Sequence, residues 1–141
     1  MTDKPDFLSL ELPPERIKSV SSLGLAHIGD CVWELMVRSW LLWSGKATAA
    51  GLHRATVAHV SASAQARAVD IMLPSFTEEE LAVFRRGRNA HVNTVPKNAK
   101  LSDYHAATGL ETLWGWLYLN GRRERLGELF AMIIGEDTDA T

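Results

Sequence analysis

Cysteine is almost missing from this chain. Cys31 is the only one, which excludes an intramolecular disulfide and any zinc site built from cysteines. Long apolar runs are missing too: no stretch approaches the ~20 uninterrupted apolar residues that a membrane helix needs. The first residues, Met1-Thr2-Asp3-Lys4-Pro5-Asp6, lack the basic-then-apolar layout of a secretory signal. The expectation is a reducing, cytoplasmic setting with no membrane contact. Glycine and proline are sparse, 10 and 5 in 141 residues, and there is no internal repeat or low-complexity tract. With 46% hydrophobic and 23% charged residues, the composition is that of one globular domain, long enough to bury its own core.

A surplus of either charge is missing as well, since 15 basic residues against 17 acidic leave a net −2. The even total hides an uneven distribution. Asp3, Asp6, Glu11 and Glu15 lie in the first 15 residues, and Glu136, Asp137 and Asp139 in the last six. Without these ends the body carries 14 basic residues against 10 acidic. Residues 81–102 hold Arg85, Arg86, Arg88, Lys97 and Lys100 and no acid at all.

What is present is helical periodicity, nearly throughout, so the expected fold class is all-α. Pro13-Pro14 opens a short piece over Glu15–Val20. Ser21-Ser22 supplies capping hydroxyls for a long helix to about Trp43, with Gly45 beyond its end. Helices are expected over Ala47–His53 and Val57–Met72, the latter stopping before Pro74. Thr77-Glu78-Glu79-Glu80 is a capping box whose helix ends near Gly87 or Arg88. Residues 89–101 have turn formers and no period, so they read as a loop. Ser102-Asp103 would cap a helix reaching Leu119, closed by Asn120-Gly121, and a last helix would cover Arg122–Ile134.

Two acids occupy unexpected company. His27, Asp30, Glu34 and Arg38 form one stripe on the long helix, yet the neighbours of Asp30 are Ile28, Cys31, Val32 and Trp33. A carboxylate so placed is expected to be ion-paired, hydrogen-bonded or bound to a cation. An ion pair of Asp30 or Glu34 with Arg38 is the plain structural alternative. Glu111 is the one acid in the apolar run Leu110–Leu119, with Thr108 a turn before it and Gly115 a turn after. Gly115 either leaves room for an ion, water or substrate, or marks a close helix–helix contact. Two isolated carboxylates suit a hard cation such as Mg²⁺, which takes one or two protein oxygens and completes its shell with water and phosphate oxygens. A basic loop beside them would supply a phosphate-binding surface.

These residues carry a resemblance. Leu25-Ala26-His27-Ile28-Gly29-Asp30-Cys31-Val32-Trp33-Glu34-Leu35 resembles the signature helix of the ribonuclease III catalytic domain. Arg85-Arg86-Gly87-Arg88-Asn89-Ala90, Pro96-Lys97-Asn98-Ala99 and Thr108-Gly109-Leu110-Glu111-Thr112-Leu113-Trp114-Gly115-Trp116-Leu117-Tyr118-Leu119 complete the pattern in order. Together they resemble the short Mini-ribonuclease III branch, over about residues 20–133. The chain would then divide into an acidic segment with a short helix (1–19), a catalytic domain (20–134) and an acidic disordered tail (135–141).

The resemblance implies an all-α endonuclease and homodimer that hydrolyses double-stranded RNA with Mg²⁺, or Mn²⁺ as substitute, to mature precursor 23S ribosomal RNA. It makes Asp30 and Glu111 the catalytic metal ligands, with Glu34 and Thr108 supporting nearby. Two departures reduce the family's carboxylate set: Ala26 and Thr108 stand where full-length members have acids. The double-stranded-RNA-binding domain is not matched, so RNA binding is expected to fall to this domain or to a ribosomal protein already on the RNA. Arg85, Arg86, Arg88, Asn89, Lys97 and Asn98 are the expected RNA contacts, although a solvated helix end is the bland reading of the arginines. Ala26, His27, Ile28 and Trp33 are the expected dimer interface, His27 standing where the family places an aromatic that packs into the partner. Two other classes compete. An all-α nucleotide pyrophosphohydrolase would want clustered acids, and an RNA-binding ribosome-assembly factor would need no catalysis.

Overall fold

The computed structural model describes residues 4–45, 48–90 and 100–139. These form seven α-helices and a 3₁₀ turn: α1 (Pro14–Lys18), α2 (Ser22–Trp43), α3 (Ala49–Val60), α4 (Ala62–Met72), the turn Leu73–Ser75, α5 (Glu78–Arg88), α6 (Leu101–Leu119) and α7 (Arg123–Asp139). No strand occurs among the described residues, so the all-α class holds.

Local chemistry explains most boundaries. The Ser21 hydroxyl accepts from the Gly24 N–H at 3.0 Å and starts α2. The Thr77 capping box starts α5, with its Glu80 carboxylate accepting from the Thr77 N–H at 2.9 Å. Beyond α2, Gly45 takes a φ of +93°, a left-handed conformation that disfavours side chains. Three expectations need correction. The break between α3 and α4 falls at Ser61, whose hydroxyl accepts from the Ala64 N–H, and not between His53 and Val57. Lys100, which makes no side-chain cap, precedes α6, so Ser102 and Asp103 lie inside its first turn. Helix α7 begins at Arg123 and runs through Asp139, so residues 135–139 continue a helix rather than form a disordered tail. The N-terminal segment is held in place: the Tyr118 hydroxyl donates to the Leu8 carbonyl at 2.6 Å, and the Leu12 N–H donates to the Leu119 carbonyl at 3.0 Å.

Helix α6 is the axle of the domain. Leu110, Leu113, Trp114 and Leu117 are wholly buried, and α2, α4, α5 and α7 pack around them. Trp33 from α2 meets Trp114 and Phe130 edge-on, at ring-centroid distances of 5.0 and 5.6 Å. Edge-on aromatic pairs contribute about 0.5–1.5 kcal/mol beyond simple burial. Between α5 and α7, the buried Glu80 carboxylate accepts two 2.8 Å hydrogen bonds from Arg125. Burial alone would raise the Glu80 carboxyl, but Arg125 and the Thr77 N–H hold it below its ordinary value. Helix α2 is not covered all round. Leu35, Leu42 and Trp43 are exposed along its outer side.

Candidate functional site

The site forms where α2 crosses α6, and two glycines set the crossing. A Cβ on Gly29 would overlap the carbonyl oxygen of Glu111, and one on Gly115 would overlap the carbonyl oxygen of Leu25. The two helices therefore touch backbone to backbone, which only residues without a side chain permit. Gly115 consequently marks a helix–helix contact, and the room it makes is filled by α2.

That contact brings the carboxyl groups of Asp30 and Glu111 within hydrogen-bonding reach of each other. Asp30 is exposed despite its apolar neighbours in sequence, and Glu111 is half-buried behind it. Burial, then the charge and hydrogen bond of Asp30, push the Glu111 carboxyl up to about 8, against a smaller lowering by Gln65. Gln65, on α4, donates its Nε2 to Glu111 Oε2 at 3.4 Å. Two adjacent carboxylates repel unless a proton or a cation lies between them. Hard oxygen donors, one of them partly withdrawn from water, fit a divalent cation that completes its shell with water and phosphate oxygens. No cluster of three or more potential His, Cys, Asp or Glu ligands occurs among the described residues.

The other expected site residues scatter. Glu34 pairs with Arg38 at 2.9 Å on the exposed face of α2, the plain alternative for that stripe. Thr108 is buried and donates its hydroxyl to the Tyr104 carbonyl at 3.0 Å, so it serves the helix backbone. Trp33, 1% exposed, and Ala26, 7% exposed, belong to this chain's own interior and form no outward interface, because α2 turns that side onto α6. His27 is exposed and Ile28 half-buried.

The arginine cluster divides. At 3.6 residues per turn, positions two apart project to nearly opposite sides of a helix. Arg86 lines a cleft of about 510 Å³ with Lys18, Ser22, Trp116 and Arg122. Arg88 faces a second cleft of about 380 Å³ with Asn89, Ser102 and His105. Arg85 is exposed. Neither cleft is lined by Asp30 or Glu111. Lys97 and Asn98 lie outside the described residues. Gln65, Lys18, Arg122 and His105 were not marked by any spacing, since each reaches its neighbours only through the packing of separate helices.

Residues 23–122 match the family model described as the ribonuclease III domain. The chain is 40% identical to Mini-ribonuclease 3 of Clostridium tetani, over 91% of this chain and 85% of that protein. It is 43% identical to Mini-ribonuclease 3 of Symbiobacterium thermophilum, over 85% of this chain and 86% of that one. A crystal structure of a Fusobacterium nucleatum protein superposes with a TM-score of 0.79 at 28% identity, covering 86% of this chain and 97% of that one.

Proposed function

Because this chain belongs to the ribonuclease III family, in its Mini-ribonuclease 3 branch, and is an endoribonuclease, we propose that it hydrolyses double-stranded RNA at Asp30 and Glu111. The pairing of these two carboxylates at the α2–α6 crossing carries the reading. Mg²⁺, or Mn²⁺ in its place, would be held by Asp30 and Glu111, and when bound it supplies a Lewis acid for phosphoryl oxygen and an activated water. The exposed Asp30 carboxylate is the ligand nearest solvent, where a phosphodiester can approach. Glu111, half-withdrawn behind it, is the anchored ligand. Glu34 and Thr108 stay outside the set.

RNA is held by charge and amide donors on the surface around the end of α5. Arg85, Arg86, Arg88 and Asn89 there, and by sequence Lys97 and Asn98 from the segment that follows, contact phosphates and 2′-hydroxyls, the groups an A-form duplex presents across its shallow groove. The substrate is precursor 23S ribosomal RNA in the cytoplasm, with a ribosomal protein on the RNA as a possible partner. Cutting both strands of a duplex needs two sites, and a twofold homodimer supplies them through one self-complementary patch. The patch follows the outer side of α2 through His27, Ile28 and the exposed Leu35 and Leu42.

The test is cleavage of duplex RNA, single-stranded RNA and nucleoside triphosphates with and without Mg²⁺. Asp30→Asn and Glu111→Gln keep shape and remove a charged ligand, so each is expected to abolish duplex cleavage while RNA binding persists. Wild-type cleavage by either variant, or preferential hydrolysis of the triphosphates, refutes the assignment.

A further inference from the structure

Five polar or charged side chains are buried among the described residues: Thr56, Gln65, Glu80, Thr108 and Thr112. Four of them serve the fold. Thr56 and Thr108 donate to carbonyls one turn back in their own helices. Thr112 donates to the Ser22 and Thr108 carbonyls, and Glu80 pairs with Arg125. Gln65 differs. It is 2% exposed, and its amide donates to the carboxylate of Glu111.

Its position follows from α4. Ser61 ends α3 and caps α4, so Gln65 lies one turn into a helix otherwise rich in alanine. Small side chains such as Ala68, itself 5% exposed, let α4 lie against α6. Gln65 is the long side chain that crosses this contact and reaches Glu111. A buried amide has few partners to choose from, and once Glu111 is ionised by a bound cation its oxygens only accept, so the amide nitrogen is the end that faces it.

Resting on the reading of Asp30 and Glu111 as a cation site, we infer that Gln65 is a positioning residue that orients Glu111 to receive the cation. Its N–H holds Oε2 and restricts rotation of the carboxyl group, leaving the remaining lone pairs for the cation. Its neutrality matters equally. A lysine here would cancel the charge that attracts a cation, and a glutamate would add a third carboxylate to two that already repel. A carboxamide fixes the geometry and leaves the charge of the site unchanged.

Two substitutions separate the two properties. Gln65→Leu keeps the approximate volume and removes the donor. Partners that orient metal ligands contribute about 10–100-fold to affinity or activity, so kcat should fall, and the Mg²⁺ concentration for half-maximal rate should rise, within that range. KM for duplex RNA should stay at the wild-type value. Gln65→Glu keeps the shape and adds charge, so its metal-free melting temperature should fall, and Mn²⁺ should raise it by more than it raises the wild type. This melting readout requires no turnover and stands even if Gln65→Leu folds poorly. Gln65→Leu with wild-type kcat and Mg²⁺ dependence overturns the inference, as does Gln65→Glu with a wild-type Mn²⁺ shift. Asp30→Asn, run alongside, separates this failure from failure of the parent reading. A Mn²⁺ shift that Asp30→Asn abolishes but the Gln65 variants leave unchanged refutes the positioning role alone. A shift that survives Asp30→Asn refutes the metal site itself.

Discussion

Replacing Gly29 with alanine tests the crossing on which the site depends. The added methyl would overlap the Glu111 carbonyl oxygen and stand 2.7 Å from the Gly115 nitrogen and 2.8 Å from the Glu111 carbonyl carbon. Non-bonded carbons settle at about 3.5–4.0 Å, so α2 and α6 must separate by about an ångström. No side chain can rotate aside, because every offending atom is backbone. Overpacking costs about 1–3 kcal/mol in most cores. Here the interface itself must open, and a gap near an ångström forfeits roughly a quarter to a half of each dispersion contact across it. The expected loss is about 3–5 kcal/mol, among the larger single-residue effects. The melting temperature should fall by about 10 °C or more.

Gly127→Ala is the control. It lies on the exposed side of α7 with nothing within 4 Å of an added Cβ, so alanine should stabilise there by up to about 1 kcal/mol through helix propensity. Circular-dichroism melts of both variants measure the stability difference. Duplex cleavage, measured well below the melting transition, reports the site, because an ångström of misplacement costs on the order of 100-fold in rate. A Gly29→Ala protein melting within about 2 °C of wild type would show that the crossing has slack the geometry denies it.

Arg125→Met should cost about 2–4 kcal/mol, because it leaves the buried Glu80 carboxylate without its partner. In the wild type Glu80 is held below its ordinary value, so its stabilisation is present above the unfolded pKa and is lost as pH falls through the folded one. Without Arg125, only the Thr77 N–H and Arg122 oppose burial and Glu80 loses most of its lowering, so urea titrations should show the variant's deficit largest at neutral pH and smallest in acid. A deficit independent of pH would contradict this. Arg86→Ala and Arg88→Ala face different clefts, so each should lower the slope of log K against log salt by up to about one unit, and the double variant by their sum. An unchanged slope in the double variant would remove both from the RNA surface. Leu35→Glu, at a position 57% exposed in the single chain, should convert a particle of about 31 kDa, twice the 15.6 kDa chain, into a folded monomer. Light scattering that finds wild type already monomeric while cutting both strands would refute the homodimer.

The sequence by itself determined the helical class and the family and singled out two acids, because each of these is written locally. Thr77, three residues before Glu80 and ahead of an acidic first turn, caps α5 through neighbours in sequence, and Pro74 disfavours continuation of α4 in the same local way. Asp30 and Glu111 stand out because their immediate neighbours are apolar. Where the chain carries no punctuation, local reading fails: Ser61 breaks α3 from α4 with no glycine or proline beside it.

Tertiary structure alone decided which faces are covered. Trp33 and Leu35 are two residues apart on an apolar helix, yet one is 1% exposed and the other 57%. Composition cannot rank them, because burial is settled by where α6 lies against α2. The same crossing turns Asp30 toward Glu111, whereas Glu34 meets Arg38 one turn along its own helix. Helix α4, laid on α6 by small side chains, adds Gln65 to the pair. Arg86 and Arg88 part company for a simpler reason, since 3.6 residues per turn sends them to different sides of α5 and so to different clefts. Partnership between side chains on separate helices depends on interaxial distance and angle. Here those are set by two glycines that let the backbones of α2 and α6 touch.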